Sequence, residues 1–483
     1  MLELLTCQLI NKFSMVNPFR TFSGYCKACE KKYSEIFVDF FIDEKVSCEK
    51  CLLKAKIFTK IISWALNIIA DALKMPRNQF KLILKENNSM RRLVQTYLEG
   101  IGIFGLNIPL IPAGPIITIW TITDRCNLNC THCYLPKNNN HKELTYAESC
   151  KIIDELQQAK NMIIGFSGGE PLLRKDIFDL IKYVSDKQMS VALATNGLLI
   201  DENVAKKLKD SGLGYVQISI DGLEETHDII RGEGTFQRAL SAIKNCLDAG
   251  LYVSMDVVIT KLNVNQIHDL ISLAKGLKVQ KFEILDFVPS ENACMRADMA
   301  LTPLQMERFG KIVCDIWNDL MTDSYPLTLS YKNPIFSRIL AQRFPNVQIM
   351  PFFKGIYPKD ALKFFNFSKR LSTGVFEEQH PFSPFITGCE AGFYTIHVKS
   401  DGNVTPCPLN PDVIGDAIRT NIHKIWLHSP ILNKYRKLKF DGNCGKCTYR
   451  SICGGCRAKC YVLKDNHFTS DPTCYLNSIK SHS

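Results

Sequence analysis

The chain has 483 residues, 20 of them cysteines, and a formal net charge of +11 at pH 7. This length allows two or three domains with buried cores, and cysteine is too sparse for a small disulfide scaffold. The formal charge counts every cysteine as neutral. Metal-bound thiolates would lower it to about +4, so the basic balance is weak evidence for a nucleic-acid partner.

Most cysteines fall in clusters of the Cys-x-x-Cys type, which predict metal ligation in a reducing compartment rather than disulfides. The first residues, Met-Leu-Glu, place no basic segment before an apolar one, so no signal peptide is predicted. The most apolar stretch, residues 101–122, is interrupted by Pro109, Pro112 and Pro115. We therefore expect a soluble cytoplasmic protein without a transmembrane segment.

Residues 1–60 contain two cysteine pairs, Cys26 with Cys29 and Cys48 with Cys51, separated by eighteen residues. Four thiolates at this spacing predict a structural zinc site in a zinc-ribbon-like extension. Unligated cysteines and a further iron–sulfur site are the alternatives. Zinc ribbons can contact nucleic acid or protein, and the ribbon alone does not distinguish between them.

Residues 61–112 are predicted to be a helical linker. Ile57, Ile61, Trp64 and Ile68 recur at helical spacing and form an apolar stripe. We expect this stripe to pack on the following domain, with a partner or membrane surface as the alternative.

An apolar segment at residues 116–123 predicts a strand, and Cys126, Cys130 and Cys133 follow it directly. Three thiolates on one short loop can hold three corners of an iron–sulfur cube. The fourth iron would then be open to a substrate or cofactor.

Short apolar runs then alternate with amphipathic ones. Strands are predicted at 116–123, 162–167, 190–195, 215–220, 252–260 and 282–287, with helices near 145–159, 175–187, 203–210, 236–249 and 265–276. This alternation predicts a parallel α/β sheet or barrel with functional residues at the carboxyl ends of its strands. An open doubly wound sheet is the alternative.

Three of these strands end in polar turns. The second ends in Gly168-Gly169-Glu170, where two glycines allow close approach to a ligand and a carboxylate can accept hydrogen bonds from an amine. The third ends at Asn196. The fourth ends with Ser219 and Asp221, which suit ribose hydroxyls. Ordinary turns remain the alternative for each of them taken singly.

In combination, the three cysteines, the Gly-Gly-Glu segment and the later strand ends resemble the radical S-adenosylmethionine (radical SAM) enzymes over roughly residues 115–290. The resemblance implies a 4Fe–4S cluster on the cysteines, with its open iron chelated by S-adenosylmethionine (SAM). Gly168, Gly169 and Glu170 would contact the methionine amino group. The polar strand ends Asn196, Ser219 and Asp221 would hold the ribose.

The resemblance extends to two further residues. Tyr134 matches the aromatic residue near the adenine, and Arg231 matches a position that can reach the methionine carboxylate, with an exposed helix arginine as the alternative. It implies that reductive cleavage of SAM gives a 5′-deoxyadenosyl radical that abstracts hydrogen from a substrate. An electron donor such as ferredoxin or flavodoxin would supply the electron.

The tail from Cys389 carries eight cysteines within 86 residues and too little apolar sequence for a large core, so we expect metal to organise it. Zinc is one alternative. The cysteine order resembles the SPASM extension, which holds two auxiliary 4Fe–4S clusters. The resemblance assigns Cys444, Cys447, Cys453 and Cys474 to an outer cluster. It assigns Cys389, Cys407 and Cys456 to an inner cluster, with Cys460 a candidate fourth ligand.

The two-residue gap between Cys453 and Cys456 resembles the branch that contains haem-pathway enzymes and a redox-peptide maturase. Sulfatase-maturing members carry a catalytic Asp beside the cysteine that corresponds to Cys407. This chain has Pro408 there, so that activity is not expected.

The predicted architecture is therefore a partial (β/α)6 TIM-type barrel at 113–290, a bridging region at 291–385 and a SPASM-type domain at 386–483. The expected substrate is a peptide or protein side chain or a tetrapyrrole-like cofactor precursor that undergoes oxidative maturation. The alternative from another class is a metal-organised nucleic-acid-binding or RNA-modifying protein that acts through its zinc ribbon.

Overall fold

The structure is a computed structural model that describes residues 19–60, 62–63, 66–67, 77–105, 107, 109–135, 142–289, 297–320, 323, 325, 327–344 and 388–480. Ile61, Trp64 and Ile68 of the predicted apolar stripe lie outside the described residues, and so does 345–385 of the predicted bridging region.

The centre of the fold is one sheet in the order β10-β9-β8-β1-β2-β3-β4-β5-β6-β7. Its strands are β1 Ile117–Thr123, β2 Ile163–Gly168, β3 Ser190–Thr195, β4 Tyr215–Ser219, β5 Tyr252–Ile259, β6 Lys281–Asp286, β7 Thr328–Lys332, β8 Thr395–Val398, β9 Asn403–Thr405 and β10 Gly415–Asp416. Strands β1 to β7 run parallel, and β8 is parallel to β1. The predicted partial barrel is thus confirmed, with every predicted strand in place.

Helices connect the parallel strands in the predicted alternation. They span Tyr146–Gln158, Ile177–Asp186, Glu202–Asp210, Glu224–Arg231, Thr235–Asp248, Ile267–Gly276 and Pro303–Leu320, and Pro334–Arg343 follows β7. The first begins with a capping box in which Thr145 and Glu148 satisfy each other's backbone N–H groups. Its buried face, Ile152, Ile153 and Leu156, joins the main core between sheet and helices.

The structure adds elements that the sequence pattern did not predict. Strand β7 and its flanking helices lie in the predicted bridging region. The short helix Glu224–Arg231 follows β4, and β8 from the C-terminal region pairs with β1. Because β8 is hydrogen-bonded to β1, the C-terminal domain continues the barrel sheet instead of forming a separate layer.

The N-terminal extension is helical around its cysteines, with helices Tyr33–Asp43, Glu49–Ile57, Arg77–Glu86 and Asn88–Phe104 after a single turn at Arg20–Ser23. These helices share a second core. Lys160, which follows the first barrel helix, forms ion pairs with Glu35 at 3.0 Å and with Glu99 at 3.6 Å, and so ties the extension to the barrel.

The C-terminal domain adds helices Ile422–His428, Pro430–Arg436, Gly442–Lys446, Arg457–Lys464 and Tyr475–Lys480. Trp426 Nε1 donates to the carbonyl of Pro112 at 3.0 Å, and buried Lys459 forms an ion pair with Asp286 at the end of β6. The domain is therefore attached to the segment before β1 and to the carboxyl end of β6. Among the described helices, we find none whose length and hydropathy would let it span a lipid bilayer.

Candidate active site

Cys126, Cys130 and Cys133 lie on the loop that leaves the carboxyl end of β1. Cys126 is exposed, and the other two are half-buried. The backbone N–H of Thr131 donates to the carbonyl of Ile230 at 2.9 Å, which ties the loop to the end of helix Glu224–Arg231. A cleft of about 530 Å³ opens beside Cys126. The loop is therefore fixed at Thr131 by a backbone hydrogen bond and faces a cleft at Cys126.

Burial of the cysteine loop disfavours ionised thiols unless a cation lies beside them. Burial raises the pKa of the Cys130 thiol to about 11, and nearby Arg231 acts in the opposite direction. Burial likewise raises the pKa of Cys126. A metal beside these sulfurs would favour the ionised form that burial disfavours. Three thiols beside an open cleft therefore fit a cluster with one uncoordinated iron.

The Gly-Gly pair at the end of β2 lies against the start of the cysteine loop. A Cβ on Gly168 would lie 2.4 Å from the Thr123 carbonyl oxygen, and a Cβ on Gly169 would lie 2.1 Å from that of Arg125. The N–H of Gly169 donates to Thr123 at 2.8 Å. The two glycines thus let the end of β2 lie directly against the residues that precede Cys126. Their predicted approach to a ligand stays a prediction.

Glu170 is fully buried and joins two strand ends. Its carboxylate accepts from Thr195 Oγ1 at 2.9 Å, from the N–H of Asn196 at 2.9 Å and from the N–H of Leu172 at 3.1 Å. Burial raises its pKa while these hydrogen bonds act against the rise. The carboxylate already stabilises the β2 and β3 turns, and its contact with an amino group stays a prediction.

Asn127, which the sequence reasoning missed, lies between the first two cysteines and accepts a hydrogen bond from Asn196 Nδ2 at 2.7 Å. The predicted ribose contact Asn196 therefore braces the cysteine loop from the end of β3. The only indication of this role in the sequence was the position of Asn127 between two predicted cluster ligands.

Asp221 is fully buried after β4 and accepts hydrogen bonds from three directions. Its partners are Arg231 Nε at 2.5 Å, His132 Nε2 at 3.1 Å and the N–H of Val258 at 2.7 Å. Although burial opposes ionisation, Arg231 and His132 hold the pKa of Asp221 well below its usual range. The structure thus joins predicted Asp221 and Arg231 into one buried ion pair that touches the cysteine loop.

His132 is a second residue that sequence reasoning missed. It is 8% exposed, lies between Cys130 and Cys133, and has no hydrogen-bond partner at Nδ1 among the described residues.

The other predicted SAM contacts differ in exposure. Arg231 also lines the cleft beside Cys126. Ser219 is half-buried at the end of β4. The direct contacts of Ser219, Asp221 and Arg231 with SAM stay predictions.

The inner set of SPASM-type cysteines converges after β9. Cys407 lies close enough to Cys389 and Cys456 for the three to influence each other's ionisation, and burial raises the pKa of Cys456 to about 12. Cys460 lies beside Cys456 and Cys444, and its Sγ is 3.5 Å from the carbonyl oxygen of Thr469. Its role as fourth ligand stays a prediction.

In the outer set, Cys453 lies near Cys444 and Cys474, and burial raises the pKa of Cys474 to about 11. Cys447, the fourth predicted member, is half-buried at the end of helix Gly442–Lys446. As at the first loop, a bound metal would stabilise the ionised form of these buried thiols.

Asp471 lies between the two SPASM-type sets and was not predicted as a site residue. It is fully buried, accepts from the N–H of Cys456 at 2.7 Å, and its own N–H lies 3.4 Å from Cys444 Sγ. Its sequence signal was only its position three residues before Cys474. Asp471 thus contacts one predicted ligand of each set, Cys456 through its side chain and Cys444 through its backbone N–H.

The four N-terminal cysteines converge most closely. The sulfurs of Cys26, Cys29, Cys48 and Cys51 all lie within 4.8 Å of one another, with Cys26 to Cys48 at 4.0 Å and Cys29 to Cys51 at 3.6 Å. A tetrahedral zinc with Zn–S bonds of about 2.3 Å separates its sulfurs by about 3.8 Å. This spacing fits one metal ion. Within the described ranges, no other group of three His, Cys, Asp or Glu residues is as compact.

The comparisons with known proteins agree with this geometry. The family model of the radical SAM superfamily matches residues 120–274, and that of the SPASM iron–sulfur cluster-binding domain matches residues 389–457. These ranges contain the loop after β1 and most of the C-terminal cysteines.

Two curated relatives illustrate the range of similar proteins. The AdoMet-dependent heme synthase of Methanosarcina barkeri is 28% identical over 367 residues, covering 74% of this chain and 96% of that enzyme. A mycofactocin maturase of Mycolicibacterium smegmatis is 28% identical over 371 residues, covering 74% of this chain and 82% of the relative.

Among solved structures, Streptococcus suis SuiB bound to S-adenosylmethionine superimposes with a TM-score of 0.61 at 16% identity. The match covers 92% of this chain and 93% of SuiB. At this identity the similarity is one of fold.

Replacing Cys51 by Ser should remove about one equivalent of zinc per chain, because a structural site needs all four thiolates. Elemental analysis of the purified protein measures the loss, and the iron content should not change. Cys150→Ser, at a half-buried cysteine outside the four, should keep the zinc. Equal zinc in both variants would contradict the assignment, as would a loss of iron instead of zinc.

Gly169→Ala should destabilise the fold by about 1–3 kcal/mol, since the new methyl group would meet the Arg125 carbonyl. It should also lower the iron bound at Cys126, Cys130 and Cys133. Urea unfolding and iron analysis measure the two effects. Gly276→Ala, with no atom within 4 Å of its Cβ, is the matched control and should change stability by less than about 1 kcal/mol.

Arg231→Met should cost about 3–5 kcal/mol in the free energy of unfolding, because it leaves the buried Asp221 carboxylate without its cation. Arg343→Met breaks an exposed pair with Asp315 and should cost less than about 1 kcal/mol.

The Arg231 effect should also depend on pH. A carboxylate with a lowered pKa stabilises the fold above the pKa of the unfolded chain, about 3.9, and this contribution is lost as the pH falls. The difference in the free energy of unfolding between wild type and Arg231→Met should therefore become smaller below about pH 4. A difference that does not change with pH would contradict the Arg231–Asp221 ion pair.

Proposed function

We propose that this chain, which is a radical SAM enzyme with a C-terminal SPASM domain, carries out the oxidative maturation of a tetrapyrrole-like cofactor precursor. The two domains imply 4Fe–4S clusters and SAM as cofactors. The observation that carries the enzymatic part of the proposal is the open three-cysteine loop at the carboxyl end of β1, with a cleft beside it. The precursor class is supported by the 28% identity to a heme synthase across 96% of that relative.

Further relatives with tetrapyrrole names support the same class. An Fe-coproporphyrin III synthase and a pre-heme d1 synthase are each 27% identical, over 371 and 378 residues. A peptide or protein side chain is the second candidate substrate. It is supported by the 28% identity to a mycofactocin maturase.

When bound, the cluster and SAM supply a 5′-deoxyadenosyl radical for hydrogen abstraction. The chain's part is to hold and orient them. Cys126, Cys130 and Cys133 would bind the cluster and leave its open side toward the cleft. Arg231 brings a positive charge to the cleft wall, where it would attract the methionine carboxylate.

The surrounding residues fix this geometry. Glu170 joins the turns after β2 and β3, Asn196 braces Asn127, and Asp221 orients both Arg231 and His132. Because these groups are buried and hydrogen-bonded before any ligand arrives, they hold the site without reorganisation during the reaction.

In this proposal, the SPASM domain holds two auxiliary clusters. The inner cluster is bound by Cys389, Cys407 and Cys456. The outer cluster is bound by Cys444, Cys447, Cys453 and Cys474. An external donor such as ferredoxin or flavodoxin supplies the electrons. A reducing, cytoplasmic location suits these sites.

Anaerobic reconstitution with iron and sulfide, followed by dithionite and SAM, should yield 5′-deoxyadenosine and about twelve irons per chain. Cys126→Ala should abolish the product. Cys246→Ala, at a buried cysteine outside the predicted sites, should retain it. Absence of 5′-deoxyadenosine at full iron content would refute the enzymatic proposal, and retained nucleic acid would then favour an RNA-binding role.

The substrate class is tested with deuterated substrates. An iron-coproporphyrin labelled on its side chains should transfer deuterium to 5′-deoxyadenosine, which mass spectrometry detects. Transfer from a labelled peptide alone would replace the first candidate with the second.

A further inference from the structure

We propose that a buried chain of hydrogen bonds centred on His397 couples the catalytic cysteine loop to the Cys407 loop, so that occupancy of the inner auxiliary site alters SAM binding. The inference rests on the proposed function only in taking the two sets of cysteines as cluster ligands. It concerns how the two sites communicate, and it assigns a positioning role to His397.

His397 lies on β8, the SPASM-domain strand that pairs with β1 of the barrel. It is 3% exposed and is held at both ring nitrogens. Its Nε2 lies 2.9 Å from Thr121 Oγ1 on β1, and its Nδ1 lies 2.7 Å from Thr405 Oγ1 on β9. One imidazole therefore bridges a strand of each domain.

Each threonine continues the chain toward a cysteine loop. Thr405 Oγ1 donates to the carbonyl of Cys407 at 3.0 Å. On the other side, the Tyr134 hydroxyl shares hydrogen bonds with Thr121 and Ser167, and Tyr134 directly follows Cys133. A hydrogen-bonded path thus leads from Thr121, a partner of the Tyr134 hydroxyl, through His397 and Thr405 to the carbonyl of Cys407.

Proton counting fixes the direction of every bond. The single hydroxyl proton of Thr405 goes to the Cys407 carbonyl, so His397 Nδ1 must donate to Thr405. In a neutral imidazole Nε2 then accepts, and Thr121 must donate to it. Thr121 is left to accept from Tyr134, which in turn accepts from Ser167. Burial lowers the pKa of His397 to about 3, which keeps the ring neutral as this order requires.

Because every donor in this chain of hydrogen bonds points in the same direction, only one arrangement of protons satisfies all of its donors and acceptors. Thr121, His397 and Thr405 are each at most 3% exposed, so water does not replace a lost partner. A shift of the Cys407 loop therefore passes through Thr405 and His397 to Tyr134, beside the catalytic cysteines. Coupling of this kind is a free energy shared by both sites and works in either direction.

A double-mutant cycle on the reconstituted holoprotein tests the coupling, with the SAM dissociation constant measured by anaerobic equilibrium dialysis. Cys407→Ala and His397→Leu should each weaken SAM binding about fivefold or more. The double variant should bind no more weakly than the weaker-binding single variant. His397→Gln, which keeps one donor and one acceptor, should recover part of the binding.

Two matched controls separate coupling from general damage. Cys444→Ala removes a ligand of the outer set, and its effect should simply add to that of His397→Leu. Thr118→Val removes another buried hydroxyl of β1, one that accepts from Asn161 Nδ2 at 2.9 Å outside this chain, and it should leave SAM binding unchanged. Thr405→Val should behave like His397→Leu and serves as the second variant if leucine impairs folding.

The electron paramagnetic resonance spectrum of the SAM-bound catalytic cluster gives an independent readout. It should differ between Cys407→Ala and wild type, and this difference should disappear in the His397→Leu background. Additive effects of Cys407→Ala and His397→Leu on SAM binding would overturn the coupling. Failure of the wild type to bind SAM at full iron content would instead refute the proposed function.

Discussion

The hydrogen bonding of β1 on both of its edges is the constraint on which the rest of the structure depends. One edge pairs with β2, whose Gly168-Gly169 turn touches the first residues of the cysteine loop. The other edge pairs with β8, which leads into the inner cysteine set. The loop after β1 is therefore positioned by two neighbours that come from different domains, and any ligand on it is placed with respect to both.

The buried carboxylates around this loop mainly form hydrogen bonds and ion pairs with other segments of the protein. Glu170 and Asp221 have no exposed surface, and their oxygens are occupied by backbone N–H groups and by side chains from neighbouring turns. Removing one partner of such a group costs several kcal/mol, so these carboxylates make the arrangement of turns nearly invariant. Arg231 differs because it is paired with Asp221 and also lines the cleft, where it can act on a ligand.

The cysteine centres fall into two geometric kinds. The N-terminal four are close enough to surround one ion, and their unit is anchored to the barrel through Lys160, Glu35 and Glu99. The SPASM-type sets are spaced more widely and share Asp471, whose backbone and side chain reach one ligand of each. A single ion fits the first kind, and the SPASM family model implies iron–sulfur clusters for the second.

Local patterns in the sequence determined the six predicted strands, the helices predicted between them, and the spacing of the N-terminal cysteine pairs and of the three cysteines after β1, because hydrophobic periodicity and ligand spacing involve residues close together in the chain. The division of the C-terminal cysteines into two sets came instead from the family resemblance. Only the tertiary structure decided that β8 lies beside β1, that the Gly-Gly pair approaches the chain itself, and that Asp221 is occupied by Arg231 and His132. Thr121 and His397 are 276 positions apart and meet at 2.9 Å. Such a contact follows from the packing of whole elements, and no local pattern specifies which distant segments will meet.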